Sequence, residues 1–194
     1  MSSSETLDIK NYIGLTGDTP IRFVASDVDG TLVNEAKTVD PEVVDAVRAA
    51  RESGIRVAIA SGRAWHEMDD VIDAMPCLRY FVCTNGAYVM DKEEQKELVH
   101  ISFDKTRAVD LVRKLMTYGV FVEAYVKAEI FGQYPTVGNE TLQAEHFFRP
   151  NIRPFILKTR TMVLDLLAHL ESLSEGPEKI QIFYGDERIR ERIL

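Results

Sequence analysis

Between residues 21 and 83 the sequence alternates between short apolar runs and helical patterns, and this alternation constrains the fold more than any other feature. A segment long enough for a crossover helix joins each pair of runs. Strand, helix, strand, helix, strand at this spacing predicts a parallel sheet with right-handed connections. Burial on both faces of such a sheet explains why the runs are almost continuously apolar. The predicted strands are Ile21–Ser26, Ile55–Ala60 and Tyr80–Cys83.

The two connecting segments carry the signals of helices. Asp40 and Pro41 begin the first helix, with Asp as the N-cap and Pro in the first turn, and Gly54 suits the position just past its end. The second helix is predicted over residues 65–75, where four apolar side chains recur at helical spacing, and Pro76 stops it.

After residue 87 the alternation gives way to hairpins mixed with helices, which predicts a second unit of the α+β class. The predicted elements are hairpin strands Ala87–Met90 and Glu97–Ser102, helix Lys105–Tyr118 ended by Gly119, strands Val120–Val126 and Glu129–Tyr134, helices Thr141–Phe148 and Thr161–Leu173, strand Lys179–Tyr184 and helix Asp186–Leu194. We therefore predict a polar leader at 1–20, an α/β, Rossmann-like core of about three parallel strands at 21–87, and an α+β domain at 88–194.

The composition narrows the classes of function. Apolar residues make up 45% of the 194 residues, which is typical of a folded chain, and 31 acidic residues outnumber 23 basic ones. This balance disfavours nucleic-acid binding, which needs a basic face. We find no secretory signal and no apolar run long enough to cross a bilayer. Cys77 and Cys83 are too few for a disulfide framework, so we expect buried thiols in a cytoplasmic protein with no membrane partner.

Two acidic residues, Asp27 and Asp29, directly follow the first strand in the sequence Asp-Val-Asp-Gly-Thr-Leu. Residues i and i+2 of an extended chain point the same way, so both carboxylates should project from the strand's carboxyl end, where open α/β sheets bind ligands. Their mutual repulsion needs relief. Mg²⁺ is one solution, and a division of labour between an ionised nucleophile and a protonated acid is another. The competing interpretation is a surface turn of solvated acids.

The second strand also ends in polar residues, Ser61-Gly62-Arg63, which lead into a predicted helix. The Ser61 hydroxyl and nearby amides can hold a phosphate at the helix N-terminus. For Ser61 alone, a simple N-cap is the alternative. Because two strand ends carry complementary chemistry, we favour a functional site over a surface turn at the two acids and a simple N-cap at Ser61.

Three segments together carry a family resemblance: Asp27-Val-Asp-Gly-Thr-Leu, Ile59-Ala-Ser-Gly-Arg63 and Thr84-Asn-Gly-Ala87. In order and spacing they strongly resemble the haloacid dehalogenase-like hydrolases. Within that family the sequence is most similar to the Cof-type sugar-phosphate phosphatases, which carry a large α+β cap after the third core strand. The resemblance extends from about residue 21 to the end of the chain.

This resemblance implies a phosphoaspartyl mechanism on a small phosphorylated metabolite. Asp27 would attack phosphorus, and Asp29 would protonate the leaving alkoxide and later activate water. Mg²⁺ would be held by the Asp27 carboxylate and the Asp29 backbone carbonyl. Ser61 would bind a phosphoryl oxygen, Asn85 would lie at the mouth of the site, and Arg63 would either add positive potential or form a surface ion pair. The predicted substrate-binding residues are Thr31, Ser61, Gly62, Arg63 and Asn85.

The family pattern also contains a lysine that steadies the phosphate and a later acidic motif that completes the metal site. We assign neither here. Asp186 is interpreted as a helix N-cap, and Lys158 and Lys179 as surface residues. We therefore expect little or no activity from this chain alone, and an incomplete sheet that favours self-association.

Two other functions stay open: a non-catalytic module that binds a phosphometabolite or a protein partner, and a phosphomutase or sucrose-phosphate-type phosphatase. Three aromatic residues of the second half either line the entrance to the site or, as we favour, pack inside their own sheet. They are Tyr125, Phe131 and Tyr134.

Overall fold

A computed structural model describes residues 20–133, 153–185 and 187–193. The strands are β1 (Phe23–Ser26), β2 (Arg56–Ala60), β3 (Tyr80–Cys83), β4 (Tyr88–Asp91), β5 (Lys96–His100), β6 (Phe121–Val126), β7 (Glu129–Gln133), β8 (Thr161–Val163) and β9 (Lys179–Phe183). The α-helices are α1 (Pro41–Glu52), α2 (Asp69–Ala74), α3 (Lys105–Met116), α4 (Arg153–Thr159), α5 (Leu166–Ser172) and α6 (Glu187–Ile193). Single 3-10 turns occur at Trp65–Glu67 and Thr84–Gly86.

The first sheet has the order β1-β2-β3-β4-β5. Strands β1, β2 and β3 are parallel, which confirms the predicted α/β core. The predicted number of about three parallel strands is confirmed as well, and the hairpin β4–β5 extends the same sheet to five strands in antiparallel fashion. An antiparallel neighbour needs only a tight connection, and the 3-10 turn after β3 provides one. The predicted domain boundary at residue 87 thus falls inside this sheet, and the change of sheet comes between β5 and β6.

Helix α1 packs on the first sheet as its apolar spacing predicts. It begins at Pro41 after Asp40, and its Val47 is buried in the core cluster with Ile59 and Phe81. Gly54 has a φ of +83°, the left-handed conformation in which glycine ends a helix at little cost.

The segment after the second strand departs from the predicted continuous helix over 65–75. It forms a 3-10 turn and the short helix α2 instead. The Glu67 carboxylate accepts a hydrogen bond from the Ala64 N–H (2.8 Å), and the Glu67 carbonyl accepts one from the Arg63 guanidinium (3.0 Å). The Arg63 bond occupies the Glu67 carbonyl, which in a regular helix would accept from the Val71 N–H, and that N–H bonds the Met68 carbonyl instead. The apolar spacing still marked the inner face, because Met68 and Met75 are fully buried.

The second sheet has the order β8-β7-β6-β9, and helices α3 and α5 share a core with it. Helix α3 begins after Asp104, whose carboxylate accepts a hydrogen bond from the Arg107 N–H (3.0 Å), and Gly119 lies just past its end with a φ of +68°. The predictions for α3, β6, β7 and β9 are confirmed, with ends that differ by one or two residues.

The helix predicted over Thr161–Leu173 is wrong in its first third. Residues 161–163 form β8, which pairs in parallel with the edge of β7, and α5 begins only after Asp165. Thr161 and Val163 are β-branched, and such side chains fit a pleated edge. The Asp165 carboxylate then caps α5 by accepting a hydrogen bond from the Ala168 N–H (3.0 Å).

Several predictions concern residues outside the described ranges: the leader at 1–19, the helix Thr141–Phe148, Tyr134 and the N-cap Asp186. Within the described ranges, Tyr125 and Phe131 are buried in the second sheet rather than open to the site. The thiols are free, with Cys83 buried and Cys77 half-buried. None of the described helices has the length and apolar character that a bilayer crossing requires.

Candidate active site

One open pocket of about 410 Å³ brings together four of the predicted site residues at the carboxyl edge of the first sheet. Strands β1, β2 and β3 are parallel, so their carboxyl ends and the loops that follow them lie side by side. Asp27 follows β1, Ser61 and Gly62 follow β2, and Asn85 follows β3. The remaining lining residues are Ala60, Val82 and Gly86.

The Asp27 carboxylate is unpaired in this pocket. Among the described residues, the only hydrogen bond to Asp27 reaches its backbone carbonyl, from the Ser26 hydroxyl (3.1 Å). An exposed carboxylate with free lone pairs can attack an electrophile or accept a cation.

Asp29 has a different environment from Asp27. Arg63 holds its carboxylate with two parallel hydrogen bonds of 2.9 Å, and the Lys37 ammonium adds a third at 2.8 Å. The Arg63 bonds, helped by Lys37, lower the pKa of Asp29 to about 2, against the opposing effect of partial burial. The cation that relieves the repulsion between the two acids is therefore a guanidinium in this structure. Asp29 lies beside the pocket without lining it.

Arg63 is the organising cation of this edge. Only 13% of its side chain is exposed, and it also bonds the Glu67 carbonyl (3.0 Å) and the Asp70 carboxylate (3.2 Å). Of the two roles predicted for Arg63, the structure shows the ion pair, although it is largely shielded from solvent. Lys37 was not singled out from the sequence, because a loop lysine eight residues after Asp29 carries no pattern of its own.

Ser61 is 8% exposed, and its hydroxyl oxygen accepts a hydrogen bond from the Arg63 N–H (3.2 Å). No described residue accepts the hydroxyl proton, so Ser61 can donate it to a ligand in the pocket. The simple N-cap alternative is wrong, because the turn that follows begins at Trp65 with Ala64 as its N-cap. The Ser61 carbonyl accepts from the Asn85 N–H (3.1 Å), which ties the loops after β2 and β3 together.

The loop after β3 has three consecutive residues in the left-handed region: Thr84, Asn85 and Gly86, with φ of +52°, +56° and +94°. Asparagine tolerates this conformation better than most residues, whereas a β-branched threonine is strained in it. A Cβ on Gly62 would lie 2.8 Å from Asn85 Oδ1, so the close approach of the two loops depends on that glycine. Thr31 lies in the exposed turn after Asp29, and its side chain makes no hydrogen bond to any described residue.

Lys179 contradicts its prediction as a surface residue. Its Nζ donates a hydrogen bond to the Gly62 carbonyl (3.1 Å) and lies 4.2 Å from the centre of the Tyr125 ring, so the half-buried side chain joins β9 to the loop after β2. Lys158 is exposed on α4, as predicted.

A buried ion cluster forms a second link between the sheets. The Arg160 guanidinium, from the second sheet's side, bonds Glu67 Oε1 at 2.5 Å and both carboxylate oxygens of Glu123 at 2.9 and 3.2 Å. All three residues are at most 8% exposed. Burial raises the pKa of Glu123, and the bonds from Arg160 oppose that rise. Glu67 also accepts from the Ala64 N–H, so the cluster reaches the backbone next to Arg63.

Proteins of similar sequence identify the family to which the chain belongs. The family profile of the haloacid dehalogenase-like hydrolases matches residues 24–188. Phosphatase YwpJ of Bacillus subtilis is 30% identical over 125 residues, which cover 64% of this chain and 43% of YwpJ. Pyridoxal phosphate phosphatase YbhA of Escherichia coli is 28% identical over 115 residues, 59% of this chain and 42% of YbhA.

A solved haloacid dehalogenase-like hydrolase from Bacteroides thetaiotaomicron has the same fold, with a TM-score of 0.71 at 18% identity over 90% of this chain and 62% of its own. The chain belongs to the haloacid dehalogenase-like hydrolases, and the Cof-type resemblance carried by the three motifs is confirmed. The chain spans less than half the length of YwpJ and YbhA.

Proposed function

We propose that this chain carries the nucleophile side of a phosphatase site for small phosphorylated metabolites, with Asp27 as the residue that forms an aspartyl-phosphate. One observation carries the proposal: the unpaired Asp27 carboxylate shares a pocket with the Ser61 hydroxyl and Asn85. The names of its relatives, a phosphatase and a pyridoxal phosphate phosphatase, point to the same class of reaction.

In the first step an Asp27 oxygen attacks phosphorus while the ester P–O bond breaks. The Ser61 hydroxyl donates a hydrogen bond to a phosphoryl oxygen, which offsets charge on the transferring group. The leaving alkoxide takes a proton from Asp29, which must first carry one. In the second step water attacks the phosphorus of the aspartyl-phosphate and the bond between phosphorus and the Asp27 oxygen breaks, which releases inorganic phosphate and restores the Asp27 carboxylate. An ionised Asp29 accepts the proton of that water.

The bonds of Asp29 suit the second step better than the first, because two cations hold it ionised. A phosphate ester brings negative charge that competes for Arg63 and Lys37. Any shift of these cations from Asp29 to the phosphate raises the pKa of Asp29 and prepares it to act as an acid. Arg63 thus has a role in setting the protonation of Asp29 as well as its position.

The donors available for Mg²⁺ fit that ion in kind but not in number. The Asp27 carboxylate and the Asp29 backbone carbonyl are oxygen ligands of the type Mg²⁺ prefers, but the ion takes six. In the described ranges no group of three or more His, Cys, Asp or Glu side chains is placed to hold a metal ion. A bound Mg²⁺ would reduce the repulsion between Asp27 and phosphate. We therefore expect weak Mg²⁺ binding and little or no turnover by the chain alone.

The test uses beryllium fluoride, which mimics a phosphoryl group on an aspartate. With Mg²⁺ and beryllium fluoride the melting temperature of the chain should rise, and Asp27→Asn should remove the rise. The variant should fold normally, because the Asp27 carboxylate has no partner to lose among the described residues. Turnover of p-nitrophenyl phosphate by the chain, abolished by Asp27→Asn, would contradict the expectation of inactivity while supporting the role of Asp27.

A non-catalytic module is the second candidate. The small number of candidate Mg²⁺ ligands among the described residues and the ion pair that holds Asp29 favour it. Such a module binds inorganic phosphate or a phosphometabolite but gives no response to beryllium fluoride that depends on Asp27. A phosphomutase differs in passing the phosphoryl group from Asp27 to a second sugar phosphate rather than to water, and an acceptor-dependent product would reveal it.

The exposed edge of β1 supports a proposal of self-association. Among the described strands β1 pairs only with β2, and Phe23 on it is 53% exposed and Val24 39%. Open strand edges with apolar side chains pair readily with other chains. Sedimentation of the chain over a range of concentrations should show association, which Val24→Lys on this edge should reduce.

A further inference from the structure

We propose that Lys179 selects substrates for this site by binding an anionic group on the part of the phosphate ester that leaves. The expected substrate is a phosphomonoester whose alcohol part carries a second anionic group, such as a carboxylate. The inference rests on the proposed function, since it assumes that a phosphate ester occupies the pocket beside Asp27.

Lys179 brings positive charge from the second sheet to the rim of the pocket. It belongs to β9, and its Nζ bonds the carbonyl of Gly62, a residue that lines the pocket. The aliphatic stem is half-buried and the ammonium lies over the Tyr125 ring, so the side chain has a defined position.

The ammonium of Lys179 has hydrogen-bonding capacity left over. It has three N–H donors, and a single hydrogen bond, to the Gly62 carbonyl, accounts for one of them among the described residues. No ion pair joins it to a carboxylate in the described ranges. Burial lowers the pKa of Lys179, which reflects a partly desolvated ammonium, although the charges of Glu67 and Glu123 act in the opposite sense.

The other cations near the pocket are already occupied. Arg63 is held by Asp29 and Asp70, and Arg160 by Glu67 and Glu123. Lys37 is paired with Asp29 and is 63% exposed on the side chain. A ligand that brings a second negative charge therefore finds its available cation in Lys179.

The geometry of phosphoryl transfer directs the leaving group toward this lysine. The attacking and leaving oxygens lie roughly in line on opposite sides of phosphorus. Asp27 attacks from the end of β1 in the first sheet, so the leaving group projects away from that sheet. Lys179 enters the same edge from the second sheet, and its flexible stem allows the ammonium to follow a carboxylate on the leaving group.

The test compares three ligands by calorimetric titration in the presence of Mg²⁺: inorganic phosphate, 2-hydroxyethyl phosphate and 2-phosphoglycolate. The last two differ in one group: 2-hydroxyethyl phosphate has a hydroxymethyl group where 2-phosphoglycolate has a carboxylate. The chain should bind phosphoglycolate about tenfold more tightly than hydroxyethyl phosphate, as one charge-assisted contact of about 1.4 kcal/mol implies. Lys179→Met and Lys179→Gln should each remove this preference and leave the affinity for inorganic phosphate unchanged, while Lys179→Arg should retain it.

Lys114→Met is the matched control, because Lys114 is exposed on α3 and its loss changes the net charge equally. This variant should keep the preference for the carboxylate. An equal loss of affinity for all three ligands in the Lys179 variants would mean that the lysine only supports the loop, and would overturn the proposal. If the unmodified chain binds phosphate but shows no preference for the carboxylate, the proposal for Lys179 is overturned and the proposed function stands. If the chain binds no phosphate, both are overturned.

Discussion

The buried ion cluster between the two sheets predicts a large and asymmetric response to substitution. Arg160→Met removes the cation that is hydrogen-bonded to Glu67 and Glu123 and leaves both carboxylates buried without an ion pair to any described residue. Glu123 is fully buried and Glu67 is 6% exposed, so water cannot reach either carboxylate unless the two sheets separate around the cluster. Removing one partner of a buried pair costs about 3–5 kcal/mol. For a chain of this length that corresponds to a fall in melting temperature of about 6–20 °C.

The matched control for this substitution is an exposed ion pair of the same chemistry. Arg113 bonds Asp110 (2.6 Å) and Glu171 (3.2 Å), and 52% of its side chain is exposed. Arg113→Met should cost less than about 1 kcal/mol, because solvent screens both partners. Urea unfolding followed by circular dichroism gives both values on one scale.

The cost of Arg160→Met should also depend on pH. Burial raises the pKa of Glu123 above its value in the unfolded chain, near 4.5, and without the guanidinium the bonds that oppose this rise are lost. A raised pKa in the folded state means stability that is present below the unfolded pKa and is lost as pH rises. The destabilisation should therefore shrink as pH falls toward 4.5. A loss equal to that of Arg113→Met, or one independent of pH, would show that the cluster is not desolvated.

Three further predictions concern the site and its surroundings. Gly62→Ala should weaken phosphate binding several-fold with little change in melting temperature, because the new Cβ displaces the end of the Asn85 side chain 2.8 Å away; unchanged affinity would contradict this. Burial raises the pKa of Cys83 to about 12, so iodoacetamide at pH 8 should modify the other cysteine in the native chain and Cys83 only after unfolding, as peptide mass spectrometry can check. The Arg63 bonds lower the pKa of Asp29 to about 2, so stability present above pH 4 should be lost between pH 4 and 2, and Asp29→Asn should lose less over that range.

The sequence predicted the part of the site that depends on strand ends. Asp27, Ser61 and Asn85 each follow an apolar run at a spacing that fixes a parallel sheet, so their meeting at one edge follows from local pattern and topology alone. The pairing of Asp29 with Arg63 could not be predicted in this way. The two residues are 34 positions apart, and the orientation of their side chains depends on loops without periodicity.

The errors elsewhere have the same physical origin. Lys179 was placed at the surface because its partner, the Gly62 carbonyl, lies 117 residues away in the sequence. The helix over 65–75 is interrupted at Glu67, whose carboxylate bonds Arg160, a residue 93 positions away. The strand at 161–163 forms only because β7 offers an edge to pair with. In each case a non-local contact outweighs local propensity.

Fluorine NMR of the chain with Mg²⁺ and beryllium fluoride tests most directly whether the Asp27 carboxylate is the nucleophile that attacks phosphorus. Bound fluorine signals should appear with the unmodified chain and with Asp110→Asn, an exposed control on α3, and should be missing with Asp27→Asn. Bound signals of equal intensity in Asp27→Asn would contradict the role assigned to this carboxylate.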